Sequence, residues 1–202
     1  MGRSLFFDPT IFLPHDNSLS LNMGKAISAI DDDLKQFIEA QHIFFVASAP
    51  LDQDGHVNLS PKGLNSFRIL GPNTVAYLDL TGSGIETVAH VKENQRIVFM
   101  FCAFDGSPRI LRLHGRGRVV ETGEPGFEQL ESLFPKFLGV RSVIVVELTR
   151  ISTSCGFGVP LMRYESERTQ LIRWAENKGD KGLRTYRETK NSASIDGLPG
   201  FA

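Results

Sequence analysis

From Asp31 onward the apolar positions fall at helical spacing. Leu34, Phe37 and Ile38 share one stripe, and Asp31, Asp32 and Asp33 stand where the positive end of a helix dipole favours carboxylates. The pattern predicts one short amphipathic helix. It gives way to IFFVASAP, an aromatic and β-branched run closed by Pro50, and then to LDQDGH, whose Asp54-Gly55 pair signals a hairpin turn into a second strand, VNLS. In that strand Val57 and Leu59 alternate with Asn58 and Ser60. TVAYLDL predicts a third strand, TGSG a loop, IETVAHVKEN a helix and RIVFMF a fourth strand. PRILRLHGRGRVVE has a clean two-residue period: Leu111, Leu113, Gly115, Gly117 and Val119 oppose Arg112, His114, Arg116 and Arg118, so one face is apolar or bare and the other basic. A short helix over Phe127 to Leu133, a buried strand SVIVVEL at 142–148, a helix over Ser166 to Asn177 and a loop-like end, NSASIDGLPGFA, complete the pattern.

About six strands with short helices between them, several joined as hairpins, predict a mainly β (α+β) architecture, an antiparallel barrel rather than a parallel doubly wound sheet. A chain of 202 residues with 41% hydrophobic residues can bury one substantial core. One domain is expected over 23–202. Met23-Gly24 opens a segment that reads as a natural start, which makes residues 1–22 an extension or leader.

Twenty-two Lys and Arg against twenty-three Asp and Glu give a net charge of -1, so nothing in the bulk charge marks a nucleic-acid binder or a membrane-surface protein. Two cysteines, with no CxxC or spaced Cys/His pairs, predict no metal site and no disulfide scaffold. No apolar run reaches membrane-spanning length, and the expectation is a soluble cytoplasmic protein. Any basic site must be local.

Two stretches could supply one. In Ser60-Pro61-Lys62-Gly63, proline forces the strand to end or to reach a sheet edge, and Gly63 permits a sharp turn exposing Lys62. The lysine reads either as surface charge or as the anchor of an anionic ligand, with the Ser60 hydroxyl beside it. In Asp79-Leu-Thr-Gly-Ser-Gly-Ile-Glu-Thr87, a strand, a Gly/Ser/Thr loop and a helix start can place amide donors and a dipole end around an anion, or simply begin a helix. It lacks the lysine of a phosphate-binding P-loop and falls short of the dinucleotide fingerprint. The basic face around Arg112 needs water, acids or an anion to compensate it. Cys155 in TSCGFGVP has no histidine at an interpretable spacing and reads as part of a tight loop, with Phe157 lining a pocket. His90 reads as a helix residue rather than a metal ligand.

Taken in order, FFVASAP, HVNLSPKG, YLDLTGSGIETVAHVKENQRIVFMF, PRILRLHGRGRVV, SCGFGVP and SIDGLPG resemble the pyridoxamine 5'-phosphate oxidase-related family of FMN-binding split barrels, from about residue 23 to 200. The resemblance implies a six-stranded antiparallel barrel and a homodimer with FMN at its interface. It implies that Lys62 lies beside the phosphate or ribityl chain, with Asn58 and Ser60 of the same strand among the cofactor-binding residues, that Tyr77, Leu78 and Asp79 pass along the ring with backbone groups, that Ser83 and Thr87 hold the phosphate at the helix start, and that Arg112 contributes from a later strand. The partner subunit's carboxy-terminal segment would close the pocket. Two departures stand out: Glu86 and Thr87 replace the basic pair of the true oxidases, and the terminal arginine signature for pyridoxamine phosphate is missing. The expectation is a flavin-dependent oxidoreductase that is not the vitamin B6 oxidase. The alternatives are a non-catalytic flavin or nucleotide sensor or carrier, or a haem or deazaflavin binder on the same barrel.

Overall fold

The computed structural model describes residues 26–201; the leader reading of residues 1–22 lies outside the described residues. Along the chain come β1 (Ala26–Ile27), α1 (Asp32–Glu39), β2 (Phe44–Ser48), β3 (Asn58–Lys62), β4 (Phe67–Gly71), β5 (Thr74–Leu80), α2 (Glu86–Asn94), β6 (Arg96–Cys102), β7 (Ile110–Glu121), α3 (Phe127–Glu131), β8 (Val140–Ser154) and α4 (Gln170–Lys190). Seven strands form one antiparallel path, β3-β2-β6-β7-β8-β5-β4, and β1 pairs with β8 beside it. The expected count of six is therefore too low. The strand that went unseen on the path, FRILG of β4, carries Arg68 near its start and ends at Gly71-Pro72, so its apolar run is too short to show a period.

The two end strands of the path, β3 and β4, are consecutive in the chain and joined only by residues 63–66. A sheet whose ends are tied by four residues must curl until those ends approach. No ladder joins them, so the result is an antiparallel split barrel with one seam. The left-handed residues of the connecting turn are Leu64 and Asn65, at φ 60 and 51, and not Gly63. Ser66 Oγ donates to Gly63 O at 2.6 Å and Arg68 Nη1 to Asn65 O at 3.0 Å, holding a backbone that side chains rarely adopt. Pro61 does not end its strand, because β3 is an edge where a missing N–H costs nothing.

Alternation builds the interior. Val46, Val75, Tyr77, Phe99, Leu111, Leu113, Ile144 and Val146 point into the barrel and are fully buried. Phe44, Phe67, Tyr77, Phe99 and Phe101 stack there mostly edge to face, the closest pair, Phe67 and Phe101, with centroids 5.0 Å apart. On the other side of β5 and β8, Ala76, Leu78, Val143 and Val145 pack with Phe127 and Phe134 near α3. Asp31 caps α1, accepting from Leu34 N at 2.9 Å, while Leu34 and Ile38 bury one helical turn apart.

In β7 the predicted faces appear as read: Leu111, Leu113, Gly115 and Gly117 are buried, Arg112 and His114 half-buried, Arg116 and Arg118 exposed. The two glycines answer to different neighbours. Gly115 sits at a bulge against β8, where a Cβ would collide with the carbonyl oxygen of Glu147 and with Val146; at Gly117 it would meet only the methyls of Val91, on α2, at 3.2 Å, and of Ile97. Gly115→Ala is expected to cost about 1–3 kcal/mol in urea unfolding, and Gly117→Ala clearly less, because side chains yield and a strand backbone does not.

The carboxy-terminal helix runs beyond the expected end at Asn177. It continues to Lys190 across a break at Gly179, whose φ 61 and ψ 173 are not helical. Trp174 and Tyr186 meet across that break at 4.9 Å, and Ala175 and Leu183 bury against Gly139.

Candidate functional site

The end of β3, the end of β5, the loop 81–85 and the first turn of α2 surround a cleft of about 410 Å³. Asn58, Ser60, Lys62, Leu78, Asp79, Ser83 and Thr87 all line it. The two stretches that could each have been an ordinary turn therefore face the same space. Their meeting follows from the ladder: Lys62 closes β3, and Asn58, four residues back, donates through Nδ2 to Thr87 Oγ1 at 2.9 Å, pinning the edge strand to α2. Ser60 Oγ in turn donates to Asn58 Oδ1 at 3.1 Å and fixes that amide's orientation.

Lys62 is half-buried, with its Nζ 5.9 Å from the centroid of the Tyr77 ring. Burial pulls its pKa below 10.5; the attraction of Asp79 opposes that, and Arg141 reinforces it. An ammonium held in a partly dry cleft gains from any anion that enters. α2 is ready for one as well: Ile85 at its N-cap supplies no side-chain acceptor, so the first-turn amides have no side-chain cap.

Two of the predicted residues, Tyr77 and Arg112, are not among the side chains that line the cleft. Tyr77 lies behind the cleft wall, in the barrel core at 0% exposure, with its hydroxyl buried and unpartnered and burial raising its pKa well above the usual value. Arg112 does not line the cleft. It donates instead to Ser154 Oγ at 3.0 Å. Asp79 lines the cleft, and its side chain is engaged in an ion pair.

That ion pair is with Arg141, the cleft residue that the sequence pattern did not single out. Arg141 heads β8 and is 6% exposed; Nε donates to Asp79 Oδ2 at 2.5 Å and Nη2 to Asp79 Oδ1 at 3.3 Å. Burial works against the guanidinium charge, but Asp79 more than offsets it and the net shift is upward. The same fork holds the loop: Nη2 donates to Gly84 O at 2.8 Å, and Nη1 to Asn191 Oδ1 at 2.9 Å. Asn191, fully buried after α4, donates to Gly82 O at 3.0 Å. Both glycine carbonyls are thereby engaged on the Arg141 side. This chain's own tail, through Asn191 and through Phe201 packed on the core, buttresses the loop. A lone arginine at the head of an apolar strand was a usable signal for Arg141, since a buried charge demands a partner. Nothing marked Asn191.

A second, more apolar hollow of about 740 Å³ adjoins the cleft. It shares Pro61, Lys62, Gly63, Leu64 and Leu171 with the cleft and is bounded beyond them by Ile43, Phe104, Met162 and Tyr164. Phe157, expected to line a pocket, is 74% exposed. Cys155 and Cys102 are both free thiols. His90 is completely buried, with Nδ1 3.0 Å from Ser48 Oγ, and burial lowers its pKa. Among the described residues there is no cluster of three metal-ligating side chains, and no helix is long and apolar enough to cross a membrane.

Three comparisons bear on this arrangement. Residues 30–155 match the family model described as Pyridoxamine 5'-phosphate oxidase. A curated relative from Aspergillus flavus, the pyridoxamine 5'-phosphate oxidase family protein ustO, is 41% identical over 190 residues, which cover 86% of this chain and 76% of that protein. Among solved structures, HupZ of Group A Streptococcus superposes with a TM-score of 0.47 at 21% identity, over 60% of this chain and 91% of that one. An FMN-binding protein of Syntrophomonas wolfei gives 0.43 at 18% identity, over 63% and 84%. The matched stretch contains the SPKG and TGSG turns, Arg141 and the seven-stranded path that brings them together, and the chain belongs to the pyridoxamine 5'-phosphate oxidase family.

Proposed function

We propose that the cleft binds FMN by its phosphate, and that the protein is an FMN-dependent oxidoreductase working as a homodimer. The observation that carries the reading is the convergence of the Lys62 ammonium, the Ser83 and Thr87 side chains and the uncapped first turn of α2 on one cleft. These groups suit a phosphate monoester, and the adjoining apolar hollow suits a flat ring. The flavin, when bound, supplies the hydride or electron transfer. The chain's own part is narrower. Lys62 and the α2 amides bind the anion, Asn58 and Ser60 order the edge strand beside it, and Arg141 and Asn191 keep loop 81–85 in place.

Exposed apolar side chains are compatible with a dimer: Val57, just before β3, and Leu59 on its outward face, with Leu161, Met162 and Ile195, are 56–79% exposed. The tail carries no arginine from Asn191 to Ala202, which argues for a substrate other than pyridoxamine phosphate. The test is direct. The purified protein should be yellow, or become so with added FMN, and should release FMN on denaturation; a colourless protein that ignores added FMN overturns the reading. Oxidation of reduced nicotinamide with candidate acceptors then separates an oxidoreductase from a carrier.

A further inference from the structure

α2 begins with a negative charge. Glu86 is the first residue of the helix and the acidic residue of its first turn, and it lines the cleft together with Lys62. Its side chain folds back over the loop, with Oε2 only 2.5 Å from where a Cβ of Gly84 would stand, so the bare backbone of Gly84 is what makes room for the carboxylate. The field of this carboxylate reaches both cations of the cleft, favouring the charged form of Lys62 and of Arg141. Counted by side chain, the cleft holds two cations, Lys62 and Arg141, and two anions, Asp79 and Glu86. Asp79 is paired with Arg141, and both carboxylates attract the remaining cation, Lys62, Asp79 more strongly than Glu86. The cleft is thus charge-balanced before a ligand arrives, with a carboxylate at the helix end that a phosphate would seek.

We propose that Glu86 is a specificity-determining residue that sets how strongly the cleft prefers a phosphorylated flavin to an unphosphorylated one. This rests on the flavin reading above. A phosphate monoester brings a charge of about -1.5 to -2 at neutral pH and must settle beside the Glu86 carboxylate or displace it; riboflavin, lacking that group, meets no such opposition. The hold on the phosphate is therefore weaker than the same cleft would have without this carboxylate.

The test is a pair of fluorescence titrations, FMN and riboflavin, on the intact protein and on Glu86→Gln, at low and moderate salt. The expected result is an FMN affinity about tenfold higher in E86Q, with riboflavin unchanged and the gain shrinking as salt screens it. An equal gain for both ligands would assign Glu86 a structural effect and overturn the inference. No change for either, with both proteins binding FMN, would also overturn it while leaving the flavin reading intact. If neither protein binds either flavin, the flavin reading fails and takes the inference with it; if the wild type binds riboflavin alone while E86Q gains FMN, the inference is upheld in its strongest form.

Discussion

Arg141→Ala is expected to destabilise the protein by about 3–5 kcal/mol, the loss seen when one partner of a buried ion pair is removed. Asp79 is 1% exposed, and without the guanidinium its carboxylate would remain in the barrel wall with little beyond a 3.4 Å contact from Ser142 Oγ. The damage spreads to the site, because Gly84 O and Asn191 Oδ1 lose their donor together. Urea unfolding measures the first effect, and FMN titration of whatever fraction stays folded measures the second. Arg141→Lys should keep the charge but not the fork, and fall between the two. A variant Asp79→Asn/Arg141→Gln should recover part of the loss, since no charge is then left alone. A cost for Arg141→Ala under about 1 kcal/mol would show that the pair does not organise the loop.

Lys62→Met is expected to separate stability from binding. Burial lowers the pKa of Lys62 in the folded chain, so the folded state holds that proton less firmly than the unfolded state does. The ligand-free protein therefore gains stability as pH rises from the lowered value toward 10.5, and is handicapped below that window. Methionine removes the handicap. Ligand-free Lys62→Met should melt no lower than the wild type near neutral pH and lose this residue's share of the alkaline rise. Its FMN affinity, however, should fall about tenfold to a hundredfold, as loss of a hydrogen bond to a charged group predicts. Thermal melts across pH, with and without FMN, read both effects: FMN should raise the melting temperature of the wild type and barely move that of the variant. A variant stabilised by FMN as well as the wild type is would remove Lys62 from the site.

What the sequence revealed and what it hid divide along physical lines. Strand β7 was legible because one of its faces is buried and the other wet, so its period of two appears in the residues themselves. The SPKG and TGSG turns were legible as candidates because proline and glycine constrain the backbone locally. Their meeting was suggested by family resemblance and depends on pairings that no short window contains. Arg141 and Asp79 illustrate the limit, lying 62 residues apart and brought together only because β5 pairs with β8 at Asp79↔Ser142. Asn191 acts from a loop-like tail, with no periodicity around it. The second half of α4 was hidden by Gly179 and Gly182, which punctuate the pattern even though the chain resumes the helix after the break. The turn at Leu64 and Asn65 was assigned to Gly63 because glycine is the usual bearer of positive φ; at Gly63 the closer constraint is the His42 carbonyl, 3.3 Å from where a Cβ would stand.

The most direct measurement is a crystal structure of the protein with FMN bound. The phosphate should lie between Lys62 Nζ and the first turn of α2, with oxygens about 2.7–2.9 Å from the ammonium, the Glu86 carboxylate alongside or turned away, and the ring in the hollow beyond Leu64. FMN bound with its phosphate away from both Lys62 and the 82–87 turn would contradict the account.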